Sequence, residues 1–159
     1  MSWRNGTRRG FLLAALLALA ACELTPVYGT GGAATKLFGQ VRPADPQTAD
    51  DFAFNRRISE RLGPEGDAYA LGYSLRIAVV PQAITPDAVT RRYSLNGTAQ
   101  FTLTDQSGQL VTRGQVSNFT SYSTTGTTIA TLAAEADARE RLARMLADQV
   151  VTRLLAAAP

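Results

Sequence analysis

The chain of 159 residues contains no histidine and only one cysteine, Cys22. Without histidine it lacks the side chain that most often serves as a general base or metal ligand in enzymes. The closest pairs of carboxylates, Asp50 with Asp51 and Glu135 with Asp137, fit roles at helix surfaces and helix N-termini better than a catalytic dyad. We therefore expect a protein that is not an enzyme and binds no metal or cofactor.

The sequence also lacks the features of nucleotide-binding and nucleic-acid-binding proteins. The glycines between Gly29 and Gly32 have no adjoining Lys and Ser/Thr of a phosphate loop, and no basic run is interleaved with aromatic residues. Three of the 16 basic residues, and none of the 13 acidic ones, precede Cys22. The chain from Cys22 onward therefore has a formal charge near zero, and we expect no nucleic-acid partner.

The residues that precede Cys22 have the pattern of a bacterial lipoprotein signal peptide. Positive charges at Arg4, Arg8 and Arg9 are followed by an unbroken apolar run, 11–21. This run is shorter than the about 20 residues that cross a bilayer, which favours a cleaved signal. The adjacent arginines also fit a twin-arginine export signal, so the export route stays open between this and general secretion.

The sequence Leu-Ala-Ala-Cys at 19–22 is typical of a lipoprotein processing site. It predicts cleavage between Ala21 and Cys22, with the Cys22 thiol carrying diacylglycerol and the new amino terminus an acyl chain such as palmitate. The predicted organisation is a signal peptide over 1–21, a lipidated, glycine-containing tether over 22–35 and a single domain over 36–159.

The first half of the domain predicts a strand followed by a helix. Residues 36–42 could form a short strand that ends at the prolines beyond it. Thr48 then has the chemistry of a helix N-cap, and the apolar residues that follow at a spacing of four predict one buried helix face. These residues are Phe54, Ile58 and Leu62.

Three strands are predicted next by apolar residues at alternate positions. They cover 69–80, 93–104 and 110–122, with a turn at 105–108 between the last two. In the third strand the apolar positions change parity between Val116 and Phe119, which suggests a bulge or a frayed edge.

A long amphipathic helix over 128–155 closes the chain. Its predicted buried stripe comprises Leu132, Ala136, Ala143, Leu146, Val150 and Leu154. The order strand-helix-strand-strand-strand-helix predicts an α+β fold, in which two helices pack on one face of a mixed sheet of about four strands. The other face, rich in Ser, Thr, Asn and Gln, remains for water or a partner.

These features together resemble the LptE family of lipopolysaccharide-assembly lipoproteins in its alphaproteobacterial form. The resemblance rests on the lipidation sequence followed by Thr-Pro-Val-Tyr at 25–28, on the order of elements, on the turn at 105–108, on Ser121-Tyr122 and on the helix sequence at 133–141. It extends over nearly the whole chain from Cys22 onward.

The resemblance implies an outer-membrane lipoprotein, facing the periplasm, that partners and plugs an LptD-like β-barrel translocon for lipopolysaccharide. The alternative is a lipoprotein accessory subunit of another envelope lipid-transport complex. Binding lipopolysaccharide phosphates would require cations, for which arginine is well suited. The candidate residues are Arg76, Arg91, Arg92 and Arg113. Solvated charge at strand edges is the competing explanation for them.

Overall fold

Four strands and three helices make up the described part of the chain. The computed structural model describes residues 29, 32–84, 90–124 and 126–157. In chain order the elements are α1 (Ala33–Leu37), β1 (Val41–Pro43), α2 (Ala49–Leu62), β2 (Tyr69–Ile84), β3 (Thr90–Asp105), β4 (Leu110–Ser123) and α3 (Thr128–Ala157). The strands form one mixed sheet in the order β1-β2-β3-β4, with β1 parallel to β2 and the others antiparallel. The predicted α+β fold and its element order are confirmed.

The start of α2 follows from its sequence. The Thr48 side chain accepts a hydrogen bond from the Asp51 backbone N–H at 3.2 Å, and the Asp51 carboxylate accepts one from the Thr48 N–H at 2.9 Å. This capping box satisfies backbone donors that a helix leaves free in its first turn. The predicted N-cap and the buried face of Phe54, Ile58 and Leu62 are confirmed.

The core lies between the helices and one face of the sheet, which we call the covered face. Alternate residues of β2, from Tyr69 to Ile77, point into this core, as the two-residue period predicts. A Cβ atom added at Gly97 on β3 would lie 2.9 Å from Leu142 and 3.0 Å from Leu146, both on α3. The missing side chain at Gly97 is therefore what lets α3 lie directly on the sheet.

The region predicted as the first strand is mostly not a strand. Residues 33–37 are helical, and only Val41–Pro43 pair with β2. Leu37 is fully buried, and the next turn places Gly39 at a φ of +65°, where its N–H donates to the Leu62 carbonyl. The chain reverses at this glycine because glycine enters the left-handed region without a steric penalty.

The predicted buried stripe of α3 is wrong at its first two positions. Leu132 is 63% exposed and Ala136 is also exposed, whereas the other four predicted residues are buried. Asp50, in the first turn of α2, pairs with Arg139, so α3 begins about three turns before α2 does. Its first turns therefore have no neighbouring helix to bury them.

The change of parity in β4 has a different cause from the predicted bulge or frayed edge. The pairing with β3 is regular from Thr112 to Ser123, and its one irregularity lies near the start of the strand, between Leu103 and Thr104 of β3. Phe119 is 70% exposed and faces away from the helices. It is an apolar residue on the polar side of an edge strand.

Within the described residues, no helix is both long and apolar enough to cross a membrane.

Candidate functional site

The sheet face opposite the helices has no covering layer within the described fold. We call it the open face. Its rows run across three strands because the register aligns alternate residues of β2, β3 and β4. Its polar side chains are Ser74, Thr98, Thr102, Gln100, Asn96, Gln115, Ser117 and Ser121. A hydroxyl- and amide-rich surface of this kind suits a hydrated or polar partner rather than a second core.

Cross-strand hydrogen bonds order part of the open face. The Gln100 amide donates to the Gln115 side-chain oxygen at 3.2 Å, and the hydroxyls of Thr98 and Ser117 lie 3.4 Å apart. These pairs link the exposed sides of β3 and β4, but an amide keeps further donors and acceptors after one such bond. The face is therefore organised and still able to bind polar groups.

Three of the four candidate arginines lie on the open face. Arg76, Arg92 and Arg113 are all exposed and lie on β2, β3 and β4 respectively. Arg76 aligns with Thr98 and Arg113 with Thr102 of β3, so the three are spread along the sheet. From Arg113 to Arg92 the separation along the strands is about 33 Å at the usual rise per residue. They form a line of cations rather than one cluster.

The remaining predicted site residues lie outside what the structure describes. Cys22 and Ala21 belong to the part of the chain before residue 29. Arg91 has a described backbone position in β3, but its side chain is not among the described ones. The lipidation site and the role of Arg91 accordingly stay predictions.

The open-face arginines differ from the arginines on the helices. Arg57 and Arg61 of α2 both contact Asp148 of α3, and the bonds to Asp148 and Glu60 raise the pKa of Arg57. Arg76, Arg92 and Arg113, in contrast, form no ion pair with any carboxylate in the described residues. Their charge is consequently available to an anionic ligand.

A shallow groove of about 640 Å³ crosses one end of the open face. Gly72 of β2 lies beside Thr102, and Arg113 and Gln115 form the other wall on β4. The groove forms because Gly72 has no side chain, whereas its neighbours on the open face have longer ones. Its lining combines the Arg113 guanidinium with amide and hydroxyl groups.

Apolar side chains lie towards the other end of the open face. Phe119 is 70% exposed and Val80 is 36% exposed, and both flank the polar residues of β3. Exposed apolar groups beside cations are suited to an amphiphile with an anionic head.

Among the described residues, no group of His, Cys, Asp and Glu is arranged to hold a metal ion.

The hairpin between β3 and β4 has a rigid acidic turn. The Asp105 carboxylate accepts hydrogen bonds from the Ser107 hydroxyl at 2.6 Å and from the Ser107 and Gln109 backbone N–H groups at 2.9 Å each. These bonds, the Ser107 hydroxyl first, lower the pKa of Asp105. The turn fixes the register that places Arg113 on the open face.

The family model described as LptE, lipopolysaccharide-assembly, matches residues 40–154. The chain belongs to the LptE family. The match covers β1 to α3, and therefore both the covered face and the open face. No curated protein matches the chain by sequence.

Solved structures with the same fold come from several bacteria. A Caulobacter crescentus protein is 19% identical, with a TM-score of 0.64 over 80% of this chain and 96% of its own. The rare lipoprotein B from Shewanella oneidensis is 10% identical, with a TM-score of 0.56 over 74% and 92% of the two chains. A minor lipoprotein from Acinetobacter baumannii is 19% identical, with a TM-score of 0.52 over 75% and 94%. At these identities the similarity shows the fold alone.

The sequence did not reveal two parts of the open face. The position of Phe119 suggests a bulge or a frayed edge when only the sequence is considered, and the groove at Gly72 depends on which residues of β3 and β4 lie beside it. The signal was available in the spacing: Phe119 is three residues after Val116. In a strand without a bulge, residues three apart point to opposite faces, which places Phe119 on the polar face.

Proposed function

We propose that this LptE-family chain is an outer-membrane lipoprotein that assists the delivery of lipopolysaccharide to the cell surface. In this proposal it acts without catalysis, as the partner and plug of an LptD-like β-barrel, and the lipid on Cys22 holds it to the membrane. The family match over 40–154 supports the assembly role. The open face supports contact with the lipid, and this is the observation on which the binding proposal depends.

The chemistry of the open face matches that of lipopolysaccharide. Phosphates pair with arginine guanidinium groups, sugar hydroxyls bond to amides and hydroxyls, and acyl chains contact apolar side chains. Arg113 lies beside the polar groove, and Phe119 lies three rows further along the same strand. A face that combines these groups can contact an amphiphile along its length.

Depletion of the protein in its own bacterium tests the assembly role. We expect lipopolysaccharide at the cell surface to fall, and the wild-type chain supplied in trans to restore it. Normal surface lipopolysaccharide after full depletion would contradict the proposal.

Co-purification tests the choice of partner. A large β-barrel protein recovered in equal amount with the chain is the expected result. Recovery of an inner-membrane ATPase complex instead would favour the accessory subunit of another lipid transporter.

Two variants test the anchor and the pair of adjacent arginines. Cys22→Ala should abolish labelling with radioactive palmitate and leave the circular dichroism spectrum of the domain unchanged. Replacing both Arg91 and Arg92 by Ala should weaken lipopolysaccharide binding with the fold intact, and an unchanged affinity would remove these two residues from the proposal.

A further inference from the structure

The outer backbone edge of β4 is a second surface, and Arg113 is the one arginine that it shares with the open face. β4 is the last strand in the sheet order, so no described strand pairs with its outer side. Natural proteins usually protect such an edge with proline, lysine, inward charges or a bulge. The sequence of β4 contains no proline, lysine or acidic residue, and its pairing is regular from Thr112 onward. This edge is open to another strand.

The direction of the backbone groups along β4 can be read from two contacts. The Ser94 hydroxyl of β3 reaches the Thr120 carbonyl at 3.4 Å, so Thr120 directs its carbonyl towards β3. The Phe119 N–H instead bonds to the Asn118 side chain at 2.8 Å. Because backbone groups alternate in direction along an antiparallel strand, the odd residues face outward. Arg113, Gln115 and Ser117 therefore present N–H and carbonyl groups with no described strand to accept them.

A groove lies along this same part of the edge, between β4 and α3. One section, of about 570 Å³, is lined by Val116, Ser117, Asp148, Gln149 and Thr152, and its Asp148 pairs with Arg57 and Arg61 of α2. The next, of about 370 Å³, is lined by Phe101, Thr112, Gly114 and Ala156. Gln115 and Arg153 border both sections. The groove thus offers space for the side chains of a strand paired to Arg113–Ser117.

The charge of the groove indicates what kind of strand fits. Arg113 and Arg153 line its second section, which contains no acidic residue, and neither pairs with a carboxylate of the described chain. A strand that continues the meander would run antiparallel to β4 and would reach these arginines with its carboxyl-terminal end. Acidic residues at that end would therefore be favoured.

We propose that the β4 edge binds an extended segment of a partner protein whose carboxyl-terminal end is acidic. The segment adds a fifth strand, because only an extended backbone matches the alternating donors and acceptors of the edge. Apolar or hydroxyl side chains of the segment occupy the groove, and its carboxylates pair with Arg113 and Arg153. This surface lies on the edge and shares Arg113 with the open face, so its occupation leaves Arg76 and Arg92 accessible.

A labelled peptide tests the proposal on the full chain. In the probe, Thr and Val alternate and the last residues are Glu; a matched probe ends in Gln. We expect the Glu probe to bind by fluorescence anisotropy and to protect the Gln115 and Ser117 amides from hydrogen exchange. No binding at millimolar peptide, or protection confined to other strands, would overturn the proposal.

Three variants separate backbone pairing from charge. Ser117→Pro removes one outward N–H and should weaken the Glu probe about tenfold, whereas Ser117→Ala keeps that donor and should bind normally. Arg153→Gln should weaken the Glu probe about threefold to tenfold and leave the Gln probe unchanged. Equal binding by Ser117→Pro and Ser117→Ala would overturn strand addition.

A second copy of the chain is the competing occupant. Sedimentation of the wild-type protein should show a monomer in the absence of peptide. A dimer that Ser117→Pro dissociates would overturn the partner segment in favour of self-pairing. Because these variants leave Arg76, Arg92 and Arg113 unchanged, failure here would not remove the arginines on which the proposed lipopolysaccharide role depends.

Discussion

The two faces of the same sheet show how one pattern of alternating residues serves two purposes. On the covered face, Leu103 is fully buried and Gly97 is in contact with α3. On the open face, Thr102 and Arg76 remain exposed. Neighbouring residues along one strand therefore have opposite roles, since successive side chains point to opposite sides. Substitutions on the covered face should therefore alter stability, and substitutions on the open face should alter binding.

The largest expected difference between the faces comes from truncating adjacent side chains of β3. Leu103→Ala removes a fully buried side chain and should lower the free energy of unfolding by about 3 kcal/mol. Thr102→Ala, on the open face, should change it by less than about 0.5 kcal/mol. Urea denaturation of both variants measures the contrast, and similar losses would mean that the open face is also part of a packed layer.

Two glycines provide the next comparison. Gly97→Ala places a methyl group against Leu142 and Leu146 in the core, and should cost about 1–3 kcal/mol. Gly72→Ala meets only the Thr102 hydroxyl, at 3.0 Å, on the open face. Because that side chain can rotate and alanine restricts the unfolded chain, Gly72→Ala should be neutral or slightly stabilising. Thermal unfolding of the two variants tests this order, and the reverse order would contradict it.

The polar contacts between the helices should contribute less than the core. Asp148 of α3 contacts both Arg57 and Arg61 of α2, at 3.0 and 2.5 Å, with about a third of each side chain exposed. Asp148→Asn should therefore cost about 1 kcal/mol at low salt and less at high salt. Asp137→Asn, which removes one exposed pair with Arg141, should cost a few tenths of a kcal/mol. A loss for Asp148→Asn that does not change with salt would contradict the electrostatic explanation.

The smallest expected effect concerns the turn that joins β3 and β4. The pKa of Asp105 is lowered in the folded state, chiefly by the Ser107 hydroxyl. Its stabilising contribution is consequently present above the unfolded pKa of about 3.9 and lost as the pH falls through the lower folded pKa. Ser107→Ala should raise the Asp105 pKa, as measured by NMR titration of the carboxyl carbon. The same pKa in the variant and the wild type would remove Ser107 as the cause.

The sequence was sufficient to predict the structure where local residue chemistry and hydrophobic periodicity agree. Thr48 as an N-cap and the two-residue period of β2 both appear as the sequence predicts. The same period explains why Arg76 is exposed on the open face, whereas its role in binding stays a prediction.

The remaining features depend on tertiary structure. Leu132 has helical spacing from the buried residues but lies beyond the start of α2, so its exposure follows from where another helix begins. Leu37 becomes buried in a short helix because Gly39 turns the chain against the end of α2. The groove at Gly72 needs three strands in register. These three features depend on residues that are distant in the sequence, so no local pattern predicts them.

The central claim is that the open face contacts lipopolysaccharide, and its direct test is calorimetric titration of lipopolysaccharide into two triple variants. The first replaces Arg76, Arg92 and Arg113 by Gln. The second replaces three arginines of the helices, with exposed fractions of 45–53%, and changes the net charge by the same amount: Arg56, Arg141 and Arg144. We predict that affinity falls at least about tenfold for the first variant and less than about twofold for the second. Equal losses in both variants, or none in the first, would contradict the claim.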